Sequence, residues 1–155
     1  MVRITLTRPV AFVSADTLWD KLALYSEFDW HPLIVSSENI GTIPDKSDNM
    51  VGAVRMVVNT SGAVLTETVR EWSDLKRYQK ISIDKGGPPI AKSLHITLHV
   101  RETNDSKCSG TTAVVDLIVD LQLKGRYRIL APYLSVVLRK KLEPLIDGVA
   151  KYIKS

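Results

Sequence analysis

Apolar and polar side chains alternate from the start of the chain. Within residues 3–12, Ile4, Leu6, Val10 and Phe12 occupy even positions, the period of two that marks a strand with one buried face, and Pro9 points to an edge or a bulge. Ser14 has the character of an N-cap, with Val13 before it and Leu18 inside the helix as the two halves of a hydrophobic staple. Leu18, Trp19, Leu22 and Tyr25 then supply the apolar stripe of a short helix, and a second short helix is expected over 27–32, ended by Pro32. From residue 33 the pattern changes to strand-like runs at 34–43, 50–58, 63–72, 77–84, 90–102 and 111–123. Stretches rich in Gly, Pro, Asn, Asp or Ser separate them, among them Thr60-Ser61-Gly62 and Gly86-Gly87-Pro88-Pro89. Helical spacing returns at the end, where Tyr127, Leu130, Leu134, Leu138, Leu142, Leu145 and Val149 recur at intervals of three or four. This predicts one long amphipathic helix. Pro132 suits its first turn, whereas Pro144 lies inside it and is expected to bend or divide it.

The links between successive strands are too short for parallel crossovers, so the strands form an antiparallel meander. A sheet with one apolar face needs a cover, and the long C-terminal helix is the one element large enough to supply it. The expected fold class is therefore α+β: a seven-stranded curved antiparallel sheet, two short helices after the first strand, and a long C-terminal helix gripped by the sheet, with a hollow between them. Residues 1–155 form a single domain on this reading.

Composition narrows the function. Hydrophobic residues make up 45% and charged residues 25%, the balance of an ordinary globular chain. No apolar run is long enough for a spanning helix, and the N-terminus does not read as a signal peptide, so a cytoplasmic location is expected. Cys108 is the only cysteine, which excludes an intrachain disulfide and a cysteine-based zinc site; neither a metal nor a cofactor is expected. The net charge of +4 is unevenly placed: eight basic residues from Lys124 onward face only Glu143 and Asp147, giving that segment +6 and the remainder −2. Arg139-Lys140-Lys141 and their neighbours can meet phosphates of a membrane surface or of RNA, or simply form a solvated helix face. DNA is not expected. Aromatic residues are few and do not interleave with the basic run, which argues against a base-stacking platform. Monomer and homodimer are both compatible with the sequence.

One charged pair can be placed by register. With Thr60-Ser61-Gly62 as a three-residue hairpin loop and Gly62 left-handed, Arg55 falls opposite Glu67. Odd positions Ala63, Leu65, Glu67 and Val69 are more apolar than Val64, Thr66, Thr68 and Arg70, so the odd face points inward and takes both charges with it. Such a pair either orients the polar end of a ligand or is a structural cross-strand pair. Other arrangements carry less. His95 and His99 alternate with Leu94, Ile96, Leu98 and Val100 on a strand, about 13 Å apart on the outer face, so they cannot share a metal ion. Asp116 and Asp120 likewise lie opposite the apolar positions of their strand, and Cys108 has no fixed histidine partner. His31 is expected at the surface or near the cavity mouth.

The order of these elements resembles the START-like helix-grip superfamily, which includes birch pollen allergen, lipid-transfer START domains and polyketide cyclases. The matching residues are Val13-Ser14-Ala15, Leu18-Trp19, Trp30 and Pro32, Val51-Gly52 with Arg55, Leu65 with Glu67, Arg77, and Ile81 with Ile83. Within the superfamily the chain is most similar to the polyketide cyclase/dehydrase and lipid transport branch. The resemblance implies a cavity for a small hydrophobic molecule, lined by Arg55, Glu67, Trp30, Leu65, Ile81, Ile83, Leu98, Leu117, Tyr127, Leu134 and Leu138. It does not imply a reaction, since this fold hosts binders, carriers and a few enzymes, and three functions stand as alternatives: a binder or carrier of a lipid, isoprenoid or polyketide-like molecule; a cyclase, aromatase or dehydrase working in the same cavity; or a quinone- or ribosome-associated interaction protein acting through the basic helix. The gate and latch sequences of plant hormone receptors of this superfamily are missing, which argues against hormone sensing.

Overall fold

The computed structural model describes residues 1–23, 33–41, 50–103 and 112–154. Seven strands form one sheet: β1 (Val2–Ala11), β2 (Ile34–Ile40), β3 (Val54–Asn59), β4 (Val64–Ser73), β5 (Tyr78–Lys85), β6 (Ala91–Thr103) and β7 (Thr112–Leu123). Their order is β1-β7-β6-β5-β4-β3-β2, with every neighbouring pair antiparallel. From β4 to β7 the meander follows the predicted runs within one residue, whereas β2 ends at Ile40 and β3 begins at Val54, four residues after the expected start, and β1 closes the far edge against β7. The expected second short helix over 27–32, with Trp30 and His31, lies outside the described residues, as does Cys108.

Helix α1 (Ala15–Leu22) follows β1, and its start matches the sequence reading: the Ser14 side chain accepts a hydrogen bond from the Thr17 amide, while Val13 and Leu18 are both buried. Two polar ties fix the helix against the β4–β5 turn. Trp19 Nε1 donates to Asp74 Oδ1 at 2.9 Å, and Arg77 Nε donates to Asp16 Oδ1 at 2.6 Å. Trp19 also packs on Trp72, with ring centroids 5.2 Å apart at 49°.

After β7, a short 3-10 segment (Gly125–Leu130) leads into α2 (Ala131–Lys154). Pro132 sits in the first turn as expected. Pro144 does not divide the helix, which runs without interruption through it. The proline takes away the hydrogen bond to the Lys140 carbonyl, but Lys140 and Pro144 are both exposed, so water can satisfy the freed oxygen. Leu145, Ile146 and Val149 anchor the helix in a core shared with Val2, Ile4 and Leu6 of β1 and Val115, Leu117 and Leu121 of β7.

The convex face of the sheet is a lattice of polar pairs. Asp120 accepts from Arg3 Nε and Nη2 at 2.6 and 3.0 Å, while Asp116 accepts from Arg101 Nε at 2.8 Å and Thr7 Oγ1 at 2.7 Å. The hydrogen bonds from Arg3 hold the Asp120 carboxyl below the ordinary aspartate value against an opposing effect of burial. Burial pushes Asp116 up, but hydrogen bonds from Arg101 and Thr7 outweigh it and its value is also lowered. Groups depressed on folding stabilise the native state above their unfolded value, near 3.9, and lose that contribution as pH falls through their folded values. Urea midpoints are thus expected to hold steady down to about pH 5 and to decline below about pH 4, with a shallower decline in Asp116→Asn. An unchanged slope in that variant would remove Asp116 from the explanation.

Candidate functional site

The site begins with one hairpin. Asn59 N–H donates to the Ala63 carbonyl, the Gly62 amide donates to the Asn59 carbonyl, and Asn59 Oδ1 accepts from the amides of Ser61 and Ala63. Gly62 has φ +82°, the left-handed conformation that glycine adopts without a Cβ penalty. This turn sets the β3–β4 register and places Arg55 directly across from Glu67, with Val57 across from Leu65. The side chains of the charged pair point to the concave side, where Arg55 Nε donates to Glu67 Oε2 at 2.6 Å. Both residues are buried, with 3% and 4% of their surfaces exposed.

A cavity of about 60 Å³ lies beside the pair, between the sheet and α2. Its walls come from Ile34 of β2, Arg55 and Glu67, Gln79 and Ile81 of β5, Ile96 and Leu98 of β6, Leu117 and Val119 of β7, and Leu142 and Leu145 of α2. A bulge between Ile34 and Ser36 turns Ile34 toward the same side as Ser37 and Asn39, which face Val57 and Arg55 in register. A second irregularity, between Val69 and Glu71, puts Trp72 opposite Gln79. Among the described residues, three buried polar atoms have no hydrogen-bond partner: Ser37 Oγ, Asn39 Oδ1 and Trp72 Nε1. Asn39 is register-paired with Arg55 and Trp72 with the cavity-lining Gln79, but neither lines the cavity, and Trp72 packs on Trp19 and the main core.

The structure brings together five of the residues expected to line the hollow: Arg55, Glu67, Ile81, Leu98 and Leu117. The others lie elsewhere. Leu65 is half-buried next along β4 from Glu67 on the same face, and Ile83 borders a separate hollow beside Gly86, Gly87 and Lys124. Tyr127 lies in the 3-10 segment with the Arg126 guanidinium 4.7 Å above its ring, and it packs with Leu134 and Leu138 on the main core rather than on the cavity. Trp30 is outside the described residues. Gln79, Ile96 and Val119 share the inward parity of Ile81, Leu98 and Leu117, a signal already present in the alternation of their strands. His95, His99, Asp116 and Asp120 take no part: they lie on β6 and β7 at the convex face, with His99 Nδ1 3.9 Å from Asp116.

No family model and no curated protein matches the sequence. Solved structures do. The di-domain ARO/CYC BexL from the BE-7585A biosynthetic pathway superposes with a TM-score of 0.77 at 13% identity, over 99% of this chain and 47% of BexL. A START superfamily protein from Mycobacterium smegmatis gives 0.74 at 13% identity, over 98% of this chain and 97% of that one. The fold is the START-like helix-grip fold. Norcoclaurine synthase from Thalictrum flavum, solved with dopamine and hydroxybenzaldehyde, shares it with a TM-score of 0.69 at 20% identity, over 97% of this chain and 85% of the synthase. The START-like frame is thus common to proteins of different activity, and the chemistry has to be argued from the site.

Proposed function

We propose that this START-like chain binds and carries a small hydrophobic molecule, of the lipid, isoprenoid or polyketide-like class, in the cavity between the sheet and α2. Arg55 and Glu67 hold its polar end. The observation that supports this most is a fully buried ion pair bordering an otherwise largely apolar wall. Removing two charges from water is costly, and a purely structural role is filled as well by well-packed apolar side chains. The cavity of about 60 Å³ is smaller than the roughly 300 Å³ at which pockets for drug-sized ligands begin. A longer ligand therefore requires the cavity to widen.

A cyclase- or dehydrase-type activity is the second reading, favoured by the presence of a carboxylate and a guanidinium side by side on the cavity wall. Turnover of a poly-β-ketone, rather than retention of an intact ligand, distinguishes it. For the carrier reading, the fluorescent probe 1-anilinonaphthalene-8-sulfonate is expected to bind the native protein. Filling the cavity with Ile96→Trp is expected to weaken binding by about tenfold or more while the protein still unfolds cooperatively. Equal binding by the filled variant would place the probe elsewhere and count against the cavity.

A further inference from the structure

The arginines of this protein divide into two sets. Arg3, Arg8, Arg55, Arg70, Arg77 and Arg101, all in the sheet or its turns, each form an ion pair with a carboxylate. Among the described residues, Arg126, Arg128 and Arg139, with Lys140 and Lys141, pair with none, and no carboxylate occurs in the sequence between Asp120 and Glu143. The first turn of α2, where acidic residues ordinarily offset the positive end of the helix dipole, has none. The field of this corner of the molecule is left for an external anion.

The same corner exposes large apolar side chains. Ile129, Tyr133 and Val136 are 83%, 68% and 57% exposed. At 3.6 residues per turn, Tyr133, Val136 and Lys140 share one stripe of α2, opposite the stripe that Leu134, Leu138 and Leu142 turn toward the core. Ile129 precedes Tyr133 by one turn, and the unpaired basic side chains flank the stripe on both sides. Apolar side chains bordered by cations match the interface of an anionic bilayer, where the first reach the acyl boundary and the second meet the headgroup phosphates. A nucleic acid backbone would use the cations and leave Ile129 and Val136 in water. A second copy of the chain related by a twofold axis would bring like charges together.

We infer that the outer face of α2 and the 3-10 segment before it form a docking surface for anionic lipid bilayers, with Ile129, Tyr133 and Val136 as the inserting residues and Arg126, Arg128, Arg139 and Lys140 as the phosphate contacts. This surface lies on the side of α2 away from the cavity and does not depend on what the cavity holds.

Flotation of the full chain with large unilamellar vesicles tests it, using phosphatidylcholine alone and a three-to-one mixture of phosphatidylcholine and phosphatidylglycerol. Binding is expected to be at least about tenfold stronger on the mixed vesicles, since each basic residue near an anionic surface contributes roughly fivefold. It should weaken as salt rises. Ile129→Asp with Tyr133→Asp, and separately Arg128→Glu with Lys140→Glu, are expected to lower it by about tenfold or more with unchanged circular dichroism, because all four positions are exposed. A Tyr133→Trp variant should show a blue-shifted emission on the mixed vesicles. The inference is overturned by absence of binding to the mixed vesicles, by equal binding to both compositions, by binding indifferent to Ile129→Asp with Tyr133→Asp, or by a preference for a 20-nucleotide poly(U) over the vesicles.

Discussion

Replacing Glu67 by leucine is expected to lower the unfolding free energy by about 3–5 kcal/mol, because it deprives a buried guanidinium of its carboxylate. Arg55 and Glu67 are only 3% and 4% exposed, so water cannot take over the lost interaction without entering the fold. Adding Arg55→Met to Glu67→Leu should restore most of the loss, since two apolar side chains of similar size need no partners and replace an ion pair that was costly to desolvate. Urea unfolding of the two single variants and the double variant measures both effects. A double variant as unstable as the sum of the single ones would mean that the two side chains act independently. The double variant also separates stability from function: restored folding with lost ligand retention is the outcome expected of a pair kept for binding.

Gly86→Ala is the second large effect. Gly86 has φ +79°, and a Cβ built there would lie 1.9 Å from the Val64 carbonyl oxygen and 3.2 Å from the Leu65 Cα. The turn after β5 is pressed against the backbone of β4, and no rotation of a side chain can relieve a contact between a Cβ and a backbone atom. The expected cost is about 2–4 kcal/mol, combining the left-handed strain of a residue with a Cβ and the displacement of the turn. Gly62→Ala supplies the control. It shares the left-handed conformation, with φ +82°, but nothing lies within 4 Å of its added Cβ, so it should cost only about 1–2 kcal/mol. Equal losses in melting temperature for the two variants would show that the close approach to Val64 carries no energy.

Much of this fold could be read from alternation because its strands lie in one antiparallel meander with a single buried face. In such a sheet a slip of one residue reverses every side chain, so hydrophobic parity and the β3–β4 turn together fix the register. Arg55 opposite Glu67 followed from those two features alone. The α2 side of the cavity was harder to read. Helical periodicity identifies the inward stripe, but which of its leucines meets the hollow depends on where the helix crosses the sheet. That crossing sends Leu134 and Leu138 to the main core and gives the cavity to Leu142 and Leu145. Gln79 is polar, so apolar alternation alone does not mark it, although its parity with Ile81 puts it inside. Ile34 needed the bulge before Ser36, which alternation does not reveal. The exposed stripe of Ile129, Tyr133 and Val136 was hidden for a related reason: a periodic apolar pattern assigns one face of a helix to the core and gives no sign of a second one left in solvent.

Native mass spectrometry of the protein purified from its own cells, followed by denaturing extraction, decides whether the cavity carries a ligand. A hydrophobic molecule is expected in stoichiometric amount on the native chain, released on denaturation, and missing from the folded Arg55→Met, Glu67→Leu double variant. A protein that emerges empty and also takes up no lipophilic probe would contradict it.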